Sequence, residues 1–477
     1  MFMSISKIMV LVPFFVLTMS IVSIICSIII KRNHFFVFFL TFFSIVLIFI
    51  LLLFLNYVNP IYVSNLLCFD FYSMKYIDMI IFSSLCMIFI SYFYLKDLFL
   101  YREEFYILIL SSIMGSMLLT IAHHMFSVFI GLELMSLPIY GLMMYSMQKK
   151  KIVGVVLKYF IQSSIITILM LFGITLIYLM CGSLGFDVIK ISLLVNSKRD
   201  NIVLLIGLFF VLTAFFFKLS LFPLHFWISD IYINVSPVVL LYSTTVIKIA
   251  VFSALMNLFM YFPYEKSQIL YFIMESISVS SIIFGSIMSV FQKNILNFLG
   301  YASVVHMGYL ATTLFMIHDS YISHKLSVIY FINYIISNIG IFSILNILHY
   351  LYLIQINKIS FYSNIFFENP VFGISIIIIL FSFLGIPFTF GFITKFLIIM
   401  ISICKGYFLL NFSILFNSGL GIYYYLKVLI NIYIKRNHNN NFLHGIISYK
   451  FIKIFVLFFS IMILIFGIFP NLILNIV

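Results

Sequence analysis

Long apolar runs recur along the whole chain, and they constrain its fold more than any other feature. Inside a bilayer the backbone must satisfy its own hydrogen bonds, which helices do within a single segment. About fourteen runs are long enough to cross some 30 Å of hydrocarbon, and no segment remains for a soluble domain. The sequence therefore predicts an all-α polytopic membrane protein with spans near 8–30, 35–56, 75–95, 105–122, 124–147, 155–181, 201–225, 236–260, 270–292, 296–317, 326–350, 371–403, 408–434 and 451–475.

Composition supports the membrane class. Hydrophobic residues make up 65% of the 477 residues and charged residues 8%, which is too few polar groups to cover an aqueous surface. The first run is too long for a signal peptide and lacks a small-residue cleavage site, so we expect it to be retained as a span. The five cysteines are scattered, with no close pair at metal or redox spacing, and they indicate no chemistry.

Loop charges predict the orientation in the membrane. The net charge is +13, and most of the basic residues lie at the ends of apolar runs. Thirteen of these basic residues are on one side of the membrane and eight are on the other. The positive-inside rule assigns the richer side to the cytoplasm and, with an even number of spans, both termini to the periplasm. Membrane topology therefore accounts for the charge without a nucleic-acid partner.

Charged residues inside the apolar runs are the clearest functional signal. A lysine at the centre of a membrane helix costs about 2.5–3.5 kcal/mol to insert, so four cost on the order of 12 kcal/mol. That sum is comparable to the whole stability of a typical domain. The alternative for each lysine is a snorkelling side chain or a static ion pair, which we favour for Lys427. Glu133 is the clearest buried acid, and the lysines within runs are Lys158, Lys218, Lys248, Lys395 and Lys427.

Two of these lysines lie beside predicted helix breaks. Lys218 precedes Pro223, whereas Pro387 precedes Lys395, and proline interrupts a helix at membrane depth. The reversed order is what an inverted-topology repeat leaves in a sequence, although Gly and Pro are common in membrane helices in any case. We predict N-terminal helices in 1–104, a first five-helix repeat in 105–260, a second in 261–434, and a loop with a final span in 435–477.

The histidines are secondary candidates. His225 follows Lys218 by seven residues, about two helical turns, so a gentle break would let both face one polar channel. His306 lies in a run of small residues that permits close helix packing. His123 and His124 lie at a span boundary, where we expect hydrogen-bonded structural residues. Haem ligation needs histidine pairs that face one another from two helices, and we do not favour it here.

Four ordered motifs carry a family resemblance: GLELMSLP at 131–138, KLSLFPLHFW at 218–227, LGYASVVHMGYL at 299–310 and GIPFTFGFITKF at 385–396. Together they resemble the subunit N family of bacterial NADH-quinone oxidoreductase (complex I), the counterpart of mitochondrial NADH dehydrogenase subunit 2. The resemblance runs essentially from end to end. Two departures stand out: Asn234-Val235-Ser236 replaces the family's Gly-Ala-Pro, and Leu296 stands where the family has a basic residue. Whether Lys293 takes over from that residue stays open.

The resemblance implies an antiporter-like fold of two inverted five-helix repeats, broken at the seventh and twelfth spans. It also implies a hydrated proton path of glutamate and lysine side chains at mid-membrane. On the family pattern Glu133 matches the fifth-span glutamate, Lys218 the seventh-span lysine, Lys248 the eighth-span lysine and Lys395 the twelfth-span lysine. Lys158 matches a further lysine that recurs in the family.

These residues suggest how a proton could move. A carboxylate close to a buried lysine favours the protonated amine, so movement of Glu133 toward or away from Lys218 would load or release a proton. The proton would then pass through ordered water to Lys248 and on toward Lys395. Two alternatives remain open at this stage: a free-standing cation/proton antiporter driven by an ion gradient, and a purely structural subunit of complex I.

The free energy for such pumping has to come from partner subunits. The sequence has no nucleotide-binding loop, flavin fingerprint or iron–sulfur cysteine set, so we expect no cofactor or metal in this chain. The resemblance places NADH, FMN, iron–sulfur clusters and quinone in other subunits. We expect the partners to be other membrane subunits of complex I, including paralogous antiporter-like ones, and the lipid of a bacterial inner membrane, with the mitochondrial inner membrane as the alternative.

Overall fold

The computed structural model describes residues 5–55, 60–96, 101–145, 150–195, 198–263, 267–315, 320–352, 358–363, 365–434 and 448–474. Within these ranges, thirteen helices are long and apolar enough to cross a membrane. Two shorter apolar helices, Pro370–Leu384 and Phe390–Cys404, account for the predicted span at 371–403. The prediction of an all-α protein with about fourteen spans is therefore confirmed, while most of the predicted polar loop after residue 434 lies outside the described residues.

The first half of the chain contains eleven described helices and one β-hairpin. In chain order the elements are α1 (Ile5–Ile30), α2 (His34–Phe54), β1 (Ile61–Ser64), β2 (Leu67–Phe69), α3 (Phe71–Leu95), α4 (Arg102–Thr120), α5 (Met125–Met144), α6 (Lys150–Cys181), α7 (Phe186–Val195), α8 (Lys198–Leu219), α9 (Trp227–Asn234), α10 (Pro237–Thr244) and α11 (Val246–Met260). The hairpin pairs Ile61 with Phe69 and Tyr62 with Cys68.

The second half of the described chain is helical. In order it contains α12 (Gln268–Phe291), α13 (Ile295–Phe315), α14 (Ser320–Tyr352), a 3-10 turn (Ile359–Tyr362), α15 (Ile365–Glu368), α16 (Pro370–Leu384), α17 (Phe390–Cys404), α18 (Phe408–Tyr433), α19 (Ser448–Ile468) and α20 (Asn471–Leu474). The predicted final span corresponds to α19, because α20 is a single turn.

The chain divides into two compact units. The first comprises Met1–Leu219 and Tyr242–Tyr271. Its centre is α11, which is buried along almost its whole length and packs against α3, α4 and α8. Helices α4 and α5 pack closely because position 115 is glycine: a Cβ there would lie 2.4 Å from the backbone nitrogen of Met135. Close helix approach through a small residue is typical of membrane bundles.

The second unit comprises Ser220–Leu241 and Phe272–Val477. Its centre is α13, of which every residue is buried, with α9 and α14 packed beside it. Helix α19 packs against α14, α16 and α17, so it supports both halves of the second broken span. The predicted boundaries at residues 104, 260 and 434 divide the chain by its proposed repeats, whereas the two units are defined by contacts between residues. The predicted boundaries therefore stay a prediction.

Several helices expose large apolar side chains, as a bilayer permits. Phe15 and Phe39 on α1 and α2 are exposed, as are Ile168 and Leu179 on α6. Buried hydroxyls follow a different rule, because many bond to a carbonyl of their own helix; Ser83, for example, donates to the Ile80 oxygen. This local bonding lets serine occupy an apolar helix without a partner on another helix.

Candidate functional site

Lys218 occupies the last turn of α8, just before the chain leaves helical geometry. The helix ends at Leu219, and Ser220 adopts a positive φ of 62°. The predicted break is thus confirmed, and helix α9 begins only at Trp227. The side chain of Lys218 is 6% exposed, so its amino group lies inside the first unit rather than in water.

Hydroxyl groups and aromatic rings surround the amino group of Lys218. Its Nζ donates to Ser163 Oγ at 3.0 Å and to Tyr140 Oη at 3.4 Å. The same nitrogen lies 5.5 Å from the ring centroid of Tyr140, 5.6 Å from that of Tyr159 and 6.0 Å from that of Phe217. Desolvated cation–π contacts contribute about 2 kcal/mol or more, so these rings offset part of the cost of burying a charge.

Glu133 lies on α5 and is partly buried. It is near enough to Lys218 to interact electrostatically with it. In the described residues the ion pairs are Arg32–Glu104 and His123–Asp187, and Glu133 belongs to neither. The structure therefore brings Glu133 into the neighbourhood of Lys218 without pairing the two, and the switch between them stays a prediction.

Two further lysines of the first unit occupy contrasting surroundings. Lys248 on α11 is 1% exposed, and it follows Thr245, where the span is interrupted between α10 and α11. This interruption carries no proline or glycine, and sequence reasoning missed it. Lys158 on α6 is exposed at the surface of the chain. Of the two, Lys248 is enclosed by the unit and Lys158 faces outward.

His225 does not share a helical face with Lys218. A gentle break was the condition for that prediction, but residues 220–226 are not helical, so a spacing of seven residues no longer corresponds to two turns. His225 instead packs against Phe284 and Phe222, at ring-centroid distances of 4.5 and 5.6 Å. Its buried Nδ1 has no hydrogen-bond partner among the described residues. The helical spacing on which the common channel depended is therefore absent, and the channel itself stays a prediction.

Lys395 lies in the second turn of α17, after the second break. Its Nζ donates to the carbonyl oxygens of Phe383 at 2.7 Å and Leu384 at 2.8 Å, the last two residues of α16. Carbonyls at a helix C-terminus have no intrahelical partners and carry partial negative charge, so they attract a cation. The ring of Tyr309 lies 5.3 Å from the same nitrogen. The order of break and lysine is the reverse of that at Lys218, as predicted.

Glycine at position 385 makes this arrangement possible. Gly385 ends α16 with a φ of 84°, a conformation that side chains with a Cβ rarely adopt. A Cβ at this position would also lie 2.9 Å from the Cδ of Lys395. Gly385 therefore both turns the chain and leaves room for the lysine to reach back to the carbonyls.

His306 is buried on α13, where small residues do pack closely. A Cβ on Gly308 would lie 2.6 Å from the hydroxyl of Ser281. The imidazole Nδ1 lies 2.8 Å from Tyr330 Oη, and its ring centroid is 5.0 Å from that of Phe383. Phe383 also supplies a carbonyl to Lys395. His306 therefore contacts the ring of this residue and Lys395 its backbone oxygen.

The remaining candidates have structural partners. Lys427 donates to the carbonyls of Val290 and Gln292 at the end of α12, which fits the static role favoured for it. His123 lies 3.0 Å from an oxygen of Asp187, and His124 accepts from the backbone of Phe126 at the start of α5, as expected for structural histidines. In the ranges that the structure describes, no three His, Cys, Asp or Glu side chains are arranged to hold a metal.

Sequence reasoning missed the polar partners of both lysines. Tyr140 and Ser163 contact Lys218, whereas Asn417 donates to Tyr309 at 2.7 Å and accepts from Tyr424 at 3.1 Å close to Lys395. Tyrosine and serine are frequent in this chain, so nothing in the sequence distinguished these positions. Asn417, an asparagine within a predicted span, was the one available signal.

Known proteins resemble this chain over most of its length. The family described as NADH:quinone oxidoreductase/Mrp antiporter, transmembrane region, matches residues 122–421. The chain is 37% identical over 436 residues to NADH-quinone oxidoreductase subunit N of Buchnera aphidicola subsp. Acyrthosiphon pisum (strain APS), covering 91% of this chain and 90% of that protein. It is 35% identical to the protein of the same name from Buchnera aphidicola subsp. Schizaphis graminum (strain Sg), covering 100% and 99%.

Solved structures share the fold at low sequence identity. A chain of respiratory complex I from Thermus thermophilus with bound aureothin aligns with a TM-score of 0.80 and 22% identity, covering 97% of this chain and 98% of that one. A chain of an archaeal membrane-bound sulfane sulfur reductase gives 0.86 and 18%, covering 98% and 96%. A chain of the Mrp complex from Dietzia sp. DQ12-45-1b gives 0.83 and 14%, covering 99% and 96%. The chain belongs to the family of NADH-quinone oxidoreductase subunit N.

Proposed function

We propose that this chain moves protons across the membrane through buried lysines, as the membrane-arm subunit of complex I that its family implies. The observation that carries the proposal is that each unit holds a lysine at a proline-marked helix break, Lys218 in the first and Lys395 in the second, with polar partners from its own unit. Insertion of such lysines is costly, and intramembrane charges usually mark ion pathways. The proposed carriers are Glu133, Lys218, Lys248 and Lys395, with secondary roles for Lys158, His225 and His306.

The chemistry at Lys218 supports a carrier that can take either charge state. Hydroxyl groups accept from an ammonium group and also donate to a neutral amine, so Tyr140 and Ser163 satisfy the lysine in both states. A shift of Glu133 toward Lys218 would favour the protonated lysine, and withdrawal would favour proton release. The electrostatic interaction between the two side chains supports this role for Glu133.

The chemistry at Lys395 differs because its partners only accept hydrogen bonds. An ammonium group has three N–H donors, and two of them serve the carbonyls of Phe383 and Leu384. A neutral amine keeps two N–H groups, which is enough for the same two carbonyls. Loss of a proton therefore leaves no backbone carbonyl unsatisfied, and the lysine can release a proton without breaking its anchor.

The energy source and the setting follow from the family. Subunits that oxidise NADH with FMN and iron–sulfur clusters and reduce quinone would supply the free energy, and antiporter-like membrane subunits would adjoin this chain. The bacterial relatives support a bacterial inner membrane as its location. The loop charges support periplasmic termini.

A substitution of Lys218 tests the proposal. In the assembled complex, Lys218→Ala should lower proton translocation at least about tenfold, because removing a positioned proton-transfer group typically costs 10²–10⁴-fold. Proton translocation and NADH-driven quinone reduction are measured on the same proteoliposomes. Lys427→Ala is the matched control, because it removes a lysine anchored to carbonyls outside the proposed path. Normal translocation by assembled Lys218→Ala would rule out a carrier role for this lysine and favour a structural subunit.

A free-standing cation/proton antiporter is the second candidate. The fold match to a chain of the Mrp complex favours it, and the matching family description also names Mrp antiporters. The same buried lysines would serve either activity, so substitutions in the chain do not separate the two candidates. Association of the chain with redox subunits would separate the complex I subunit from the free-standing antiporter.

A further inference from the structure

Hydrogen bonds link Lys218 and two hydroxyl side chains in a closed triangle. Its three side chains come from three helices: Tyr140 from α5, Ser163 from α6 and Lys218 from α8. The two hydroxyls bond each other, and both accept from Nζ. Tyr140 is 8% exposed and Ser163 1%, so both hydroxyls lie inside the unit, away from its surface.

The bonding of Ser163 differs from that of many serines of this chain. Its neighbour Ser164 donates to the Ile161 oxygen of its own helix at 2.9 Å, which is how serine normally satisfies its hydroxyl in an apolar helix. Ser163 instead bonds Tyr140 and Lys218 on other helices. The hydroxyl of Ser163 therefore serves contacts between helices, and one of those contacts is Lys218.

Hydroxyl groups suit a lysine that changes charge. An ammonium group only donates, so the charged state needs acceptors, which both oxygens provide. A neutral amine also carries a lone pair, which accepts from a hydroxyl after the hydroxyl rotates. A carboxylate partner would serve the charged state alone, because it has no proton to donate. The hydroxyl pair therefore matches both states with no movement of heavy atoms.

We propose that Tyr140 and Ser163 are positioning residues that hold Lys218 Nζ in one place in both of its protonation states. The inference rests on the proposed function of Lys218 and adds that the hydroxyls, rather than the shape of the two side chains, fix where the proton is taken up and released. Glu133 then acts from a distance as the group that biases the charge state.

Two isosteric variants separate the hydroxyl from the packing. Ser163→Thr keeps a hydroxyl, whereas Ser163→Val has the same shape without one. In assembled complex reconstituted into proteoliposomes, we expect protons translocated per NADH oxidised to stay near the parent value for Thr. For Val we expect that ratio to fall, because proton transfer at Lys218 slows roughly 10- to 100-fold, the effect of losing one hydrogen bond to a charged group. Tyr140→Phe keeps the aromatic face and should also lose translocation.

A second buried pair supplies the matched control. Tyr242 and Ser112 bond each other in the same unit, both fully buried and without a lysine in that contact. Tyr242→Phe should keep normal translocation, as should Ser164→Ala. Equal translocation by the Thr and Val variants, or by Tyr140→Phe and Tyr242→Phe, would overturn the proposal.

Lys218→Ala, measured in parallel, locates any failure. If this variant loses translocation while Ser163→Val keeps it, the hydroxyl inference fails and the proposed function stands. If Lys218→Ala pumps normally, the proposed function itself fails. Native gels report the amount of assembled complex, and if Tyr140→Phe does not assemble, the Thr and Val variants decide the question.

Discussion

At the scale of single residues, the amino groups of Lys218 and Lys395 have different contact partners in place of water. Lys218 has two hydroxyls and three aromatic faces, whereas Lys395 has two backbone carbonyls and one ring. Carbonyls at a helix end are fixed by the backbone, while hydroxyls rotate. The first site therefore adapts to a change of charge, and the second keeps its lysine anchored throughout.

Glu133→Gln tests the bias that we assign to the glutamate. Glutamine keeps the size of the side chain and mimics a permanently protonated carboxyl group, so it removes the attraction for a charged Lys218. We expect the complex to assemble and translocate protons several-fold more slowly, as is typical for loss of a charge that assists proton transfer. The rate of proton uptake by proteoliposomes during NADH oxidation is the measurement.

Two comparisons interpret that result. Glu133→Asp retains the charge on a shorter side chain and should be milder than the glutamine variant. Glu275→Gln on α12 removes a carboxylate outside the proposed path and should leave translocation unchanged. If Glu133→Gln pumped as fast as the parent, the paired switch between Glu133 and Lys218 would have to be abandoned.

Lys395→Arg separates a fixed charge from a proton carrier. Arginine keeps the positive charge and its donors for the carbonyls of Phe383 and Leu384, but it does not release a proton at accessible pH. We expect assembled complex with residual quinone reduction and translocation reduced at least about tenfold. Both activities are measured on the same membranes. Near-normal translocation would show that Lys395 serves as a static cation.

At the scale of elements, the helix breaks place the lysines. Helix α17 begins against α16 because position 391 is glycine: a Cβ there would lie 1.8 Å from the carbonyl oxygen of Ser382. Helix α19 also packs directly against the broken segment, since a Cβ on Gly467 would lie 2.3 Å from the Phe388 oxygen. These contacts hold the carbonyl end of α16 where Lys395 reaches it.

Gly391→Ala should therefore disturb the second break. An added methyl group cannot be accommodated against backbone atoms without a shift, and overpacking typically costs about 1–3 kcal/mol. We expect less assembled complex and a lower melting temperature for what assembles, measured by native gel and thermal inactivation of NADH-driven quinone reduction.

The control for this variant is Gly419→Ala on α18, where no neighbouring atom lies within 4 Å of the added Cβ. Alanine is a better helix former than glycine by about 1 kcal/mol, so this change should be neutral or slightly stabilising. Equal loss of stability in both variants would mean that close packing at Gly391 does not hold the break.

The sequence predicted these elements unevenly, for physical reasons. Proline and glycine cannot continue a helix without cost, so the breaks at Pro223 and Pro387 could be read directly. The interruption at Thr245 lies in a fully buried span and carries no proline or glycine that would mark it. The hairpin and α7 were missed because they are short and lie between long apolar runs. The partners of Lys218 depend on which helices adjoin, which residue spacing along one helix does not reveal.

At the scale of the whole molecule, exposed apolar surface is the dominant feature. Helices α6 and α18 expose large side chains along much of their length, including Ile165, Phe172, Phe412 and Leu415. In a membrane such faces are covered either by lipid or by the apolar helices of other subunits. The balance between these two decides whether the chain works alone or in an assembly.

Copurification separates a complex I subunit from a free-standing antiporter. A tagged copy of the chain, extracted from bacterial membranes in mild detergent, should migrate on native gels with subunits that oxidise NADH, because the proposed function places the source of free energy in partner subunits. In-gel NADH oxidation at the position of the tag is the measurement. The tagged Lys218→Ala variant should migrate in the same band, because that lysine is buried and makes its hydrogen bonds within its own unit. A tagged chain that ran alone, without NADH oxidation, and exchanged cations for protons under an imposed ion gradient would instead establish the antiporter.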